Sequence, residues 1–145
     1  MSAAAVTNRV TTFATSTSQR TTVNASIPVA RMEQWRREAV QKVIRYAALA
    51  PNWDAHGSGA PAVAVRQSAI DLLLSIPGEL LPSPKIVPVS GGGYHFEWSV
   101  GDRELEVSID PDCHIEALRV QNGIPIEEAR PIEDVSALFN WILVR

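Results

Sequence analysis

A chain of 145 residues, 46% hydrophobic and 20% charged, has the size and composition of one globular domain, able to bury roughly two-thirds of its unfolded surface. Its single cysteine, Cys113, excludes an internal disulfide and any multi-cysteine zinc site, and its longest apolar runs, Leu72 to Leu74 and Trp141 to Val144, are far too short to span a bilayer. The net charge of −3 hides an asymmetry: residues 1–50 hold seven basic and two acidic groups, whereas residues 51–145 hold six basic and fourteen acidic.

The balances, +5 and −8, point to electrostatic association with a protein partner, or head-to-tail association of the chain with itself as a homo-oligomer. They argue against the acidic part as a nucleic-acid platform, because phosphate needs a basic surface. With no membrane-length segment and a lone thiol, a reducing, cytoplasmic setting is expected.

Residues 1–27 are rich in Ser, Thr and Ala with two charges, and read as a disordered tail. Their Arg content without acids is also transit-peptide-like, and Val10 to Thr15 would suit an added edge strand. From Pro28 to Ala50 the spacing of Met32, Trp35, Ala39, Val43, Tyr46 and Ala47 predicts a first helix, with Val40 and Ile44 widening its apolar face. Its outer face is expected to carry Arg36, Arg37, Lys42 and Arg45, a solvated basic surface or a patch for an acidic partner.

Asn52 to Pro61 is a loop by its Gly, Pro and Asn content. Within it, Trp53 suits a plug for the core and Asp54 a pin for backbone amides; a catalytic use of Asp54 and His56 is the alternative. Pro61 to Ile76 predicts a second helix, with Val65, Ala69, Leu72, Leu73 and Ile76 on one face and Pro77-Gly78 as its stop. After a Pro-rich link, Lys85 to Val89 reads as a short strand, placed at an edge by Pro88.

Gly91 to Gly93 turn the chain into an antiparallel meander. Tyr94, Phe96, Trp98 and Val100 alternate with His95, Glu97 and Ser99; Leu105, Val107 and Ile109 alternate with Glu104, Glu106 and Ser108. Gly101-Asp102 between them suits a type II′ turn. A two-residue loop pairs Val100 with Arg103, Trp98 with Leu105, Phe96 with Val107 and Tyr94 with Ile109, so both apolar sets share one face. The same register sets Glu97 opposite Glu106 with Glu104 diagonal, an unfavourable like-charge arrangement. That face is solvated, holds a cation, or docks a basic partner.

A third long strand covers Cys113 to Val120, with two registers open. A two-residue turn at Pro111-Asp112 would bury Leu118 and Val120; a three-residue loop would bury Ile115 and Ala117. Gln121-Asn122-Gly123 is a turn, and Pro131 to Leu143 predicts a closing helix packed near Trp98 through Ile132, Val135, Leu138, Phe139 and Ile142.

At Asn52-Trp53-Asp54 and at Gly92-Gly93-Tyr94-His95-Phe96-Glu97-Trp98 followed by Gly101-Asp102-Arg103-Glu104-Leu105-Glu106-Val107, the chain resembles a family of small uncharacterised bacterial and phage proteins. The likeness covers about Ala47 to Val120 and implies the architecture and a bacterial or phage origin, with no activity attached. It departs at Cys113, where such turns usually have Gly, and in the Ser/Thr-rich tail.

No constellation specifies a reaction. His95-x-Glu97 resembles half of the zinc-deaminase signature, but Pro111-Asp112-Cys113-His114 lacks the second thiol. A metal site from His56, His95, His114 and the meander carboxylates would need three ligands to converge, which the spacing does not demand. Cys113 and His114 are strand neighbours that point apart. The reading is therefore an α+β domain over residues 28–145: two helices, an antiparallel sheet of about four strands and a closing helix. Its expected role is a non-enzymatic interaction module without cofactor or metal, possessing the size of an antitoxin, immunity protein or phage inhibitor. It would bind through Glu97, Glu104 and Glu106 on the sheet, Arg36, Arg37, Lys42 and Arg45 on the helix, and Trp53 and Asp54 in the loop. A small hydrolase or metal-dependent enzyme using Asp54, His56, His95 and Glu97 is the alternative, and a self-assembling structural protein the third.

Overall fold

The computed structural model describes residues 32–78 and 80–144. The predicted tail, the added strand at Val10 to Thr15 and the Pro28 helix start lie outside the described residues. Glu33–Arg145 form one compact α+β unit in the order α1 (Gln34–Tyr46), α2 (Val63–Ser75), β1 (Lys85–Val89), β2 (Gly93–Val100), β3 (Arg103–Ile109), β4 (Ile115–Gln121), β5 (Ile124–Pro125), β6 (Arg130–Pro131) and α3 (Val135–Leu143). The sheet is antiparallel, ordered β1-β2-β3-β4-β5, with β6 also pairing β4.

The β2–β3 hairpin has the register that its turn dictates, from Val100↔Arg103 to Tyr94↔Ile109. Gly101 has φ +61° while Asp102 keeps an ordinary negative φ, as a type II′ turn requires. Gly93 starts β2 where a Cβ would stand 2.3 Å from the Ile109 carbonyl oxygen, so only glycine fits. Between β3 and β4 the chain adopts the three-residue loop. The Cys113 amide donates to Asp110 O, and Cys113 itself takes φ +68°, the left-handed residue that follows a type I turn in such loops. Ala117 accordingly joins the core and Ile115 packs against it.

All three helices pack on one face of the sheet. Tyr94, Phe96, Trp98, Leu105, Val107 and Ile109 from the strands meet Trp35, Ala39 and Val43 of α1, Val65, Ala69, Leu72 and Leu73 of α2, and Phe139 and Ile142 of α3. Trp98 is the hub. It stacks on Phe96 (5.9 Å between centroids) and meets Phe139 (4.9 Å) and Trp35 (6.5 Å) edge-to-face.

Several boundaries differ from the sequence expectation. The first helix ends at Tyr46, not Ala50, and Ile44 is exposed rather than part of its apolar face. The closing helix begins at Val135 because Arg130–Pro131 pairs with β4 and Asp134 caps the helix by accepting from the Ala137 amide.

The helix C-termini share a device. A helix leaves its last four carbonyls without intrahelical donors. At α1, the Val43 carbonyl accepts from Tyr94 Oη at 2.9 Å. At α2, the Leu73 carbonyl accepts from the Arg36 guanidinium. At α3, the Trp141 carbonyl accepts from the Arg103 guanidinium. Neither α2 nor α3 has a basic residue in its own last turn, so each takes its favourable cation from another element.

β1 is a sheet edge that is partly blunted. Its Ile86 carbonyl accepts from Tyr46 Oη at 3.1 Å, and Pro88, in the same phase of the strand, has no N–H to offer.

Candidate functional site

The face of the sheet turned away from the helices carries the side chains that alternate with the core set. On the central strands β2 and β3 these are His95, Glu97 and Ser99 beside Ser108, Glu106 and Glu104; β1 adds Lys85, Val87 and Val89, and β4 adds Glu116, Leu118 and Val120. Among the described residues no helix packs on this face. Glu97 stands directly across from Glu106, and His95 directly across from Ser108. The donor atoms of His95, Glu97 and Glu106 all lie within 4.8 Å of one another. His95 Nε2 is 3.9 Å from Glu97 Oε2, and His95 Nδ1 is 3.1 Å from Ser108 Oγ. Against this acidity stands Lys85, whose ammonium is 3.8 Å from Glu97 Oε1 with its side chain 72% exposed. A pair so exposed contributes at most about 1 kcal/mol.

The Asn-Trp-Asp loop is spent on its own structure. Asp54 accepts from Ser58 Oγ (2.6 Å), Ser90 Oγ (2.5 Å) and the amides of His56 (2.9 Å) and Ser58 (3.1 Å). The two hydroxyls, then the amides, hold its carboxyl well below the usual carboxylate range. Ser58, itself buried, also accepts from the Gly91 amide at 2.9 Å. The loop is thereby clasped to the turn that opens β2. Asn52 Oδ1 takes the Gly57 amide, Trp53 Nε1 donates to Gly59 O, and His56 Nδ1 donates to Asp54 O at 2.7 Å. Ser90 carries no sequence signal for this role, since it lies 36 residues from Asp54.

The basic helix face is smaller than expected. Arg36 is not on it: the residue is only 4% exposed, donates to Leu73 O and to Glu33 Oε1 (2.7 Å), and lies 4.7 Å over the Trp35 ring. Of the others, Arg45, in the last turn of α1, is exposed, whereas Arg37 and Lys42 are half-buried.

The alternative set Asp54, His56, His95 and Glu97 divides between two places. Asp54 and His56 share the loop; His95 and Glu97 share the open sheet face. Three clefts, of about 260, 340 and 320 Å³, are lined by none of the four. The first is built from Arg119, Glu127, Arg130 and the start of α3. There Glu127 binds Arg119 (2.5 Å) and Arg130 (2.7 Å), while the Arg103 and Arg119 guanidinium groups lie 5.1 and 5.5 Å from the Trp141 ring. The Glu127 contact holds the Arg119 pKa above its ordinary value. Alternation marks Arg103 and Arg119 for the inner face, yet their charge hid this bracing of α3.

No family model, curated protein or solved structure matches the chain. Among the described residues no helix is long and apolar enough to cross a membrane.

Proposed function

We propose that the chain is a non-enzymatic protein-interaction module, of the antitoxin, immunity or inhibitor kind, working in the cytoplasm and gripping a basic protein through the open sheet face. The observation that carries this reading is the composition of that face. Glu97, Glu104, Glu106 and Glu116 lie on adjacent strands, with Lys85 the one weak counter-charge among the described residues, and the exposed Val87 and Val89 adjoin them. Opposed carboxylates repel. A cationic partner relieves that repulsion, steers its own approach and fixes the register of docking. The rigid sheet beneath presents the charges without reordering. The Arg37, Lys42 and Arg45 face is the second candidate surface.

Capture from the native host with the full-length chain tests the reading. Wild type and an Arg37→Glu/Lys42→Glu/Arg45→Glu variant are expected to retain one stoichiometric basic partner at low salt and to release it at high salt. Glu97→Lys/Glu106→Lys is expected to lose it. Retention by the sheet-face variant, or a partner lost only with the helix variant, overturns the assignment of the face.

A further inference from the structure

The open face holds more than a diffuse acidic patch. We propose that His95, Glu97 and Glu106 form a binding site for a divalent transition-metal ion of the zinc type. Imidazole and carboxylate together make the mixed nitrogen–oxygen donor set that such ions prefer, rather than the all-oxygen set of calcium or magnesium. Their donor atoms lie within 4.8 Å of one another. Ligands at 2.0–2.2 Å from one ion stand about 3–3.5 Å apart, so a small rotamer adjustment of the two glutamates closes the site.

Three features set this cluster apart from a chance gathering of acids. First, the ligands sit on β2 and β3 at positions paired on both sides, His95 and Glu97 between β1 and β3 and Glu106 between β2 and β4, so the backbone that carries them is rigid. Second, His95 Nδ1 has its own partner, Ser108 Oγ at 3.1 Å, on the residue directly across the ladder. In the tautomer whose Nδ1 donates to that hydroxyl, the imidazole lone pair sits on Nε2, the nitrogen that faces Glu97 at 3.9 Å. A ring fixed through its distal nitrogen is the usual outer support of a metal-bound histidine. Third, the facing Glu97–Glu106 pair is unfavourable without a cation between the carboxylates. Lys85 reaches only Glu97, at 3.8 Å.

The turn residues Asp110, Asp112 and His114 also approach one another. There Asp110 is engaged by the Asp112 and His114 amides at 2.9 Å each and by His114 Nδ1 at 3.2 Å, so its oxygens belong to the turn. In the proposed site three protein ligands leave at least one coordination position facing solvent. The inference stands on donor geometry and does not depend on the interaction reading.

Isothermal titration calorimetry of the metal-stripped full-length protein with zinc chloride alone is the test, with each variant checked for its fold by circular dichroism. Wild type is expected to bind one ion saturably. His95→Gln and Glu106→Gln, which put a neutral, weaker amide ligand in place of the imidazole or the carboxylate, are expected to bind at least tenfold more weakly, and Ser108→Ala about tenfold more weakly. Lys85→Met removes the competing ammonium and is expected to tighten binding by roughly twofold to fivefold. His114→Gln is expected to bind as wild type. Absence of saturable binding by wild type overturns the proposal. So does undiminished affinity in His95→Gln and Glu106→Gln, or binding that disappears only with His114→Gln.

Discussion

Two buried tryptophans that touch edge-to-face, Trp35 and Trp98, differ in one respect. Trp35 Nε1 donates to Gly78 O at 3.0 Å, whereas Trp98 Nε1 is buried with no hydrogen-bond partner among the described residues. Exchange of either indole for phenyl removes about two methylene equivalents of buried apolar surface, costing about 1.5 kcal/mol. For Trp35→Phe the lost hydrogen bond adds about 1 kcal/mol, a total of about 2.5 kcal/mol. For Trp98→Phe the deletion removes an unsatisfied buried donor, whose presence costs about 1–3 kcal/mol. Gain and loss then nearly cancel, and the variant is expected within about 1 kcal/mol of wild type. The two variants should differ by about 2.5 kcal/mol, or roughly 10 °C in Tm. Urea denaturation followed by far-UV circular dichroism, with an unchanged slope, reads the difference. If Trp98→Phe costs as much as Trp35→Phe, the unpaired N–H is not the penalty assigned to it, and the hub tolerates no loss of ring volume.

Two further outcomes follow from the clasped loop. Because Asp54 is held below its ordinary pKa, the stability it supplies is present above the unfolded carboxylate value of about 3.9 and is lost as pH falls below it. Corrected for the intrinsic exchange rate, the protection of amides at residues 52–59 should therefore fall from pH 5 toward pH 2 more steeply in wild type than in Asp54→Asn. Equal slopes would refute the latch. Ala55, exposed at φ +63°, occupies a left-handed conformation that costs an L-residue about 1–2 kcal/mol. After the extra chain entropy of glycine, Ala55→Gly is expected to stabilise by about 0.5 kcal/mol in thermal or urea unfolding; a loss of stability would contradict the strain.

The parts that sequence revealed are those governed by local rules that agree with one another. The β2–β3 register was legible because the Gly101 turn and the alternation from Tyr94 to Ile109 select the same pairing, and the Glu97–Glu106 opposition came with it. The β3–β4 register was not legible, because it depends on a cysteine adopting a left-handed φ that side chains disfavour. Arg36 was misplaced for a different reason. On a helical wheel it borders the polar face, but its burial is decided by where the end of α2 arrives, which α1 alone does not encode. Likewise, the approach of His95 to Glu97 follows from strand spacing, while the clasp of Asp54 by Ser90 requires the assembled turn.

The capping of the helices has a consequence for how the domain comes apart. Each helix is completed by an atom from elsewhere in the chain: β2 finishes α1, α1 finishes α2, and β3 finishes α3. With 9 to 13 residues apiece the helices are marginal as isolated peptides. Loss of β2 and β3 removes the ends of α1 and α3 directly, and the loss of α1 then releases α2. The helical signal of α1 to α3 and the sheet signal are thus expected to vanish in one transition, and among the described residues no helix is built to outlive the meander.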